Sequence, residues 1–264
     1  MRISKRHVLT GLAAAFVPFA AHVARAQTAL DDIMKTKEIK IAIPTDFPPY
    51  GSVGTDLQPQ GLDIDMANYI GAKLGAKVTL LPVTTANRIP YLQTRKADLV
   101  ISTLGKNPER EQVIDFTIAY SPFFIAVFGP KSMAVKAPAD LAGKSISVTR
   151  GSVDDTELTK VAPPSTDLRR FEDNNGTISA FVAGQTQLVA TSAQVASAMM
   201  TKNPQLGAEF KFVLKDSPNF VGVAKGEDKL RLKVNDIILA AKKSGDLDKL
   251  AMKWLGRPAG DLPE

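Results

Sequence analysis

The stretch Leu99-Val-Ile-Ser-Thr-Leu-Gly-Lys-Asn-Pro-Glu-Arg110 decides how this chain is read. Its apolar start, residues 99–101, predicts a short buried strand. Two hydroxyls follow, Ser102 and Thr103, and then bare backbone at Gly105. Asn107 has the character of a helix N-cap, Pro108 of a first helical residue and Glu109 of a first-turn acid. Arg110 is thereby placed in the first turn of a helix whose amino end faces the carboxyl end of a strand. Open α/β sheets bind ligands in that crevice. Hydroxyls, backbone N–H groups and a guanidinium gathered there make a receptor for an anion, with a carboxylate the best fit. A plain strand–loop–helix with a surface arginine is the competing reading.

The first 26 residues are predicted to be removed. Residues 1–6 are basic, residues 8–21 mostly small and apolar, and Ala24-Arg25-Ala26 is a small-x-small cleavage site. This is a secretory signal peptide rather than a membrane anchor. Ser4-Lys5-Arg6-His7-Val8-Leu9 is also a lysine-substituted version of a twin-arginine signal, so Sec and Tat export both stay open. Four of the 33 basic residues (Arg2, Lys5, Arg6 and Arg25) lie in this segment, so most of the formal charge of +6 leaves with it. No basic cluster suited to nucleic acid remains. The chain has no cysteine, and both histidines, His7 and His22, precede the cleavage site. Ser-His-Asp and Cys-His catalysis, Cys/His metal sites, disulfides and lipidation are therefore excluded from the mature chain. No cofactor or metal is expected.

Beyond residue 27, strand-like and helix-like segments alternate, which argues for an α/β fold. Strands are predicted at 39–43, 77–83, 99–101, 123–128, 145–148, 167–171, 188–190 and 220–224. Helices are predicted from about 61 to 74, at 87–94, 154–160, 174–183, 194–201, 229–243 and 247–254, with the Pro/Gly-rich tail 256–264 along the surface. The pattern restarts after residue 130, which suggests two lobes. The runs 123–128 and 220–224 are candidates for the two strands joining them, an arrangement that can hinge around a ligand. A single continuous sheet is the alternative.

Several motifs occur in order: Gly61-Leu-Asp-Ile-Asp-Met66, Asn87-Arg-Ile-Pro-Tyr-Leu92, Ala97-Asp-Leu-Val-Ile101, Pro108-Glu-Arg110, and Ile114-Asp-Phe116 with Tyr120. Asp140-Leu-Ala-Gly-Lys144, Gly151-Ser152, the 184–190 unit and Gly245-Asp-Leu-Asp-Lys249 continue the series. Together they make the chain resemble the periplasmic solute-binding proteins of polar-amino-acid ABC transporters over essentially its whole mature length. The resemblance implies a type II periplasmic-binding-protein fold, with one lobe from residues 27–124 plus 221–264 and the other from 125–220. It also implies a two-strand hinge, a cleft closing on one small molecule, and delivery of a monomeric, periplasmic complex to a membrane permease and its ATPase.

The resemblance assigns the carboxylate grip to Arg110, with Ser102 and Thr103 beside it, and ligand stacking to Phe47. Gly151 and Ser152 fall on the second-lobe loop that closes over the carboxylate, with Thr149 and Val153 next to them. Asp154 falls where the ligand side chain is often faced. Other positions depart from the pattern. Ser192 stands where the ammonium-binding aspartate is expected, Gly105 replaces a hydroxyl, Pro44 a polar side chain and Thr85 a wall aromatic. A buried ammonium without a carboxylate is costly. Either the ligand is not a standard α-amino acid, or Asp154, Asp155, Asp46 or Asp173 supplies the charge.

The expected function is therefore transport reception of a small carboxylate-bearing solute, an amino acid or a non-amino organic acid. The runner-up is a cyclohexadienyl-dehydratase-like enzyme with Glu157 or Glu172 as the acid, and a third option is a sensor for another membrane partner. Asp63 and Asp65 are read as helix-opening acids, Trp254 and Met199-Met200 as packing, and Arg150 as a surface residue that could face a second ligand acid.

Overall fold

Glu38–Ile43 (β1) alternates and then becomes continuously apolar, as a strand flanked on both sides must. The computed structural model of the protein describes residues 28–263, and the predicted signal peptide lies outside them. Ala29–Thr36 (α1) precedes β1, and Asp46–Phe47 (β2), Gly51–Val53 (β3) and Pro59–Gln60 (β4) follow it as a small antiparallel sheet. Leu62–Leu74 (α2) turns Leu62, Met66, Ala67, Ile70 and Leu74 inward, and ends at a left-handed Gly75. Lys77–Pro82 (β5), Arg88–Gln93 (α3), Leu99–Leu104 (β6), the short turn Pro108–Glu111 (α4) and Ile114–Ser121 (β7) complete the first unit.

The chain then enters a second sheet with Phe124–Pro130 (β8). Ser145–Thr149 (β9), Val153–Val161 (α5), Asp167–Phe171 (β10), Asn174–Val182 (α6), Leu188–Ser192 (β11), Ala193–Lys202 (α7) and Ala208–Asp216 (β12) follow. Asn219–Ala224 (β13) returns to the first sheet, before Asp228–Ser244 (α8) and Asp246–Leu255 (α9).

The strand orders are β5-β1-β6-β13-β7 and β10-β9-β11-β8-β12. In each sheet the first three strands are parallel and the fourth runs against them. That fourth strand is the first after a crossover, and the fifth, β7 or β12, is the last before one. The runs 123–128 and 220–224 are thus placed almost wholly inside one sheet each. The change of sheet falls in Pro122-Phe123 and Ser217-Pro218, where the Ser217 amide donates to the Phe123 carbonyl at 2.9 Å.

Both β7 and β12 were absent from the predicted strands. Strand β12 lies at a sheet edge with Phe210 and Val213 exposed, so it shows no clean alternation. The tail also differs from expectation. Ala259 and Leu262 are buried, and the Ala119 amide donates to the Pro263 carbonyl at 3.3 Å, so the tail packs against the first lobe. No helix among the described residues is long and apolar enough to cross a membrane.

Candidate functional site

All six residues of β6 are buried, and the strand lies between β1 and β13. Its penultimate residue, Thr103, has a left-handed φ of 43°, a conformation a β-branched residue holds only under tertiary constraint. The constraint is visible. The Thr103 amide donates to Asp63 Oδ2 at 2.8 Å, and Tyr120 donates its hydroxyl to Asp63 Oδ1 at 2.6 Å. Asp63, fully buried in the first turn of α2, is pushed up to about 7 by burial, against the opposing bonds from Tyr120 and Thr103 and the charge of Arg88. Asp65 instead receives Lys253 and the Trp254 indole N–H. The two acids are therefore structural, and Trp254 packs with a polar anchor.

The hydroxyls of Ser102 and Thr103 accept from Arg88 Nε and Nη2 at 3.2 and 3.3 Å. Sequence reasoning gave Arg88 no role. Its signal was periodicity: Arg88 and the fully buried Leu92 are four apart on α3, so both face inward. Asn107 caps α4 as expected, accepting the Arg110 amide at 2.8 Å with Pro108 first in the turn. The Arg110 guanidinium donates to the carbonyl of Gly105 at 2.6 Å and, across the lobes, to the carbonyl of Gly151 at 3.0 Å.

On the second lobe, Ser152 caps α5 by accepting the Asp155 amide, and the Gly151 amide donates to Asp155 Oδ2. Val153 is buried against Gly105. A side chain at Gly105 would start 2.7 Å from Ser217 Oγ and 2.8 Å from Val153 Cγ2. Closure therefore leaves no room there for the hydroxyl expected by resemblance.

Between the lobes lies a narrow cavity, closed down to about 10 Å³, room for about one water molecule. Phe47, Thr85 and Thr103 line it from the first lobe, and Ser152, Val153 and Asp154 from the second. Arg88, Phe123 and Asn174, which the sequence did not single out, complete its wall. Phe47 packs against both Tyr50 and Phe123, with ring centroids 6.1 and 6.2 Å away. Arg110, Gly105 and Gly151 form the lobe junction rather than the wall.

Three further expected residues are turned away or used up. Ser102 holds Arg88. The Thr149 hydroxyl contacts Asn174 Oδ1 and Thr177 Oγ1. Ser192 is fully buried and caps α7, accepting the Val195 amide at 3.1 Å.

Burial lowers both Arg88 and Arg110, and the charge of Arg88 helps push Arg110 down to about 10. Both remain cationic at neutral pH and repel each other, an arrangement that an anionic ligand relieves. Of the four acids considered for an ammonium, three are occupied. Asp46 accepts the Asn174 amide and side-chain N–H across the lobes at 2.8–3.1 Å. Asp155 takes Gly151 and Arg170, and Asp173 caps α6. Asp154 differs: its Oδ1 is buried without a partner, as is Thr85 Oγ1 in the same wall. Burial pushes Asp154 up to about 6, opposed by its own amide, by Ser152 and by both arginines. Arg150 is at the surface, paired with Glu172 at 2.8 Å, and so does not face the cleft.

Residues 39–257 match the model of the bacterial extracellular solute-binding proteins, family 3. ABC transporter arginine-binding protein 1 of Escherichia coli (strain K12) is 27% identical over 224 residues, covering 83% of this chain and 90% of that protein. An ancestral arginine-binding protein bound to arginine superposes with a TM-score of 0.79 at 30% identity, over 83% of this chain and 99% of that one. An ancestral amino acid-binding protein, a precursor of cyclohexadienyl dehydratase, gives a TM-score of 0.77 at 28% identity over 86% and 99%. The hinged pair of sheets, the interlobe cavity and these matches agree, and the chain belongs to the bacterial extracellular solute-binding proteins, family 3.

Proposed function

We propose that the protein is the periplasmic receptor of an ABC importer for a small carboxylate-bearing solute, an amino acid or a close derivative, held between the two lobes that meet at the crossovers 122–123 and 217–218. The observation that carries this reading is an interlobe cavity with the buried Arg88 guanidinium and two unpartnered polar atoms, Thr85 Oγ1 and Asp154 Oδ1, in its wall, and with the buried Arg110 guanidinium at the adjoining lobe junction. Phe47 and Phe123 supply an apolar face, and the lobe-bridging bonds of Arg110 and Asp46 favour closure. The closed monomer then engages a membrane permease and its ATPase.

The reading is binding without turnover. Glu157, one of the two acids considered for a dehydratase, is held below the usual carboxylate range by Lys215 and Lys160, the opposite of what a general acid needs. Glu172 is exposed and paired with Arg150. A thermal-shift panel of amino acids and organic acids on the mature protein, followed by calorimetry, tests the function. One carboxylate should stabilise the protein and bind one-to-one. Stabilisation by no carboxylate, or dehydration of arogenate or prephenate to an aromatic product, contradicts the reading.

A further inference from the structure

We propose that the C-terminal tail, residues 257–263, is a third link across the hinge: a strap anchored on the first lobe that favours the closed arrangement by setting Arg257 on Phe124. The sequence prepares such a strap. Gly256 ends α9 with a left-handed φ of 69°, which turns the chain out of the helix, and Gly260 turns it again at 73°. Pro258 and Pro263 fix φ on either side of that second turn. The segment therefore gives up less conformational freedom when it docks.

The anchor lies on the first lobe. The Ala259 amide donates to Asp248 Oδ1 at 2.9 Å, Lys242 donates to the Leu262 carbonyl at 3.3 Å, and Ala259 and Leu262 are buried. The bond from the Ala119 amide to the Pro263 carbonyl lays the end of the tail along β7, the edge strand that leads into the first crossover. From this anchor the tail reaches the other lobe. The Arg257 guanidinium stands 5.2 Å from the ring centroid of Phe124, the first residue of β8, within the range of a cation–π contact. The tail shares a cavity of about 450 Å³ with both crossovers, lined by Pro122 and Phe124 from one and Asp216 and Pro218 from the other.

Rotation of the second lobe about the crossovers carries Phe124 with it, whereas Arg257 stays with α9. The contact between them is thus made or lost with the angle between the lobes. It is formed here, where Arg110 and Asp46 bridge the cleft, and so it weighs toward closure. The cavity gives the crossovers room to bend beneath the tail while its anchor holds.

The test reads the angle between the lobes in the mature protein without ligand. Because the chain has no cysteine, Ala72→Cys on α2 and Ser179→Cys on α6, both exposed, place one spin label on each lobe. Double electron–electron resonance then gives the distance distribution. Wild type should populate a closed state, and Arg257→Ala should lower its closed-to-open ratio about threefold or more, the scale of an exposed cation–π contact. Removal of residues 257–264 should lower it further. In a Phe124→Leu background Arg257→Ala should change the ratio little, because the ring that receives the guanidinium is gone. Arg257 is exposed, so its truncation leaves the core intact and keeps the test independent of whether the shortened chain folds. An unchanged distribution in Arg257→Ala overturns the inference, as does an effect of equal size with and without the Phe124 ring, or a wild type wholly open without ligand. No solute enters the measurement, so its outcome is separate from that of the receptor reading.

Discussion

Arg88 and Asp63 carry the largest consequences among single residues. The placement of Arg110 is legible in the sequence because its Asn107-Pro108 turn is a local signal. That of Arg88 is not, because its importance depends on α3 lying across the end of β6. Arg88→Ala should leave the Ser102 and Thr103 hydroxyls without their donor and lower unfolding free energy by about 1–3 kcal/mol. Urea denaturation measures it. Asp63 and Asp154 predict an unusual pH dependence. A carboxyl whose pKa is higher folded than unfolded keeps its proton longer in the folded chain, so raising pH through that window costs stability. With Asp63 moved from 3.8 to about 7 and Asp154 to about 6, ligand-free stability should fall as pH rises from about 4 to about 7 and then level off. Acids held low, such as Asp115 and Asp140, act in the opposite sense but at lower pH. Denaturant midpoints from pH 4.5 to 8 check the slope, and Asp63→Asn should flatten its upper part.

Local elements were the most legible part of the fold. The cap at Asn107, the extent of α2 and the parallel strands β1, β6 and β9 all follow from short-range pattern. What failed was what tertiary contact decides. Strand β12 is half-exposed, and the Ser192 hydroxyl has its role fixed by α7, which starts one residue later. Gly105 is the clearest case: its meaning is contact with Val153 and Ser217 across the closed cleft, not a missing hydroxyl. Gly105→Ala should therefore hinder closure, weakening ligand affinity about tenfold or more while the melting temperature without ligand changes little. Calorimetry and thermal melts of the same variant separate the two effects.

Across the whole molecule, two lobes and a pair of crossing segments were readable from a strand–helix grammar that restarts. The sheet changes at Pro122-Phe123 and Ser217-Pro218 were displaced by a few residues, because a hinge has no hydrophobic period of its own. The lobes are held together by Arg110 on the Gly151 carbonyl and by Asp46 on Asn174, whose side chain in turn accepts from Thr149. Asp46 meets the first turn of α6, where a carboxylate is favoured by the helix dipole. Asp46→Ala should release this latch, so that small-angle scattering of the ligand-free protein shows a larger radius of gyration than wild type. An unchanged radius means that the Asp46–Asn174 contact does not set the resting state.

The carboxylate grip between the lobes is the premise on which the other arguments depend, and one titration decides it. Calorimetry of wild type and Arg110→Ala against the stabilising carboxylate should give one-to-one binding for wild type and a loss of about 100-fold or more in the variant, whose fold persists by circular dichroism. Binding by Arg110→Ala at wild-type affinity would remove the guanidinium from the site and with it the case for a carboxylate receptor.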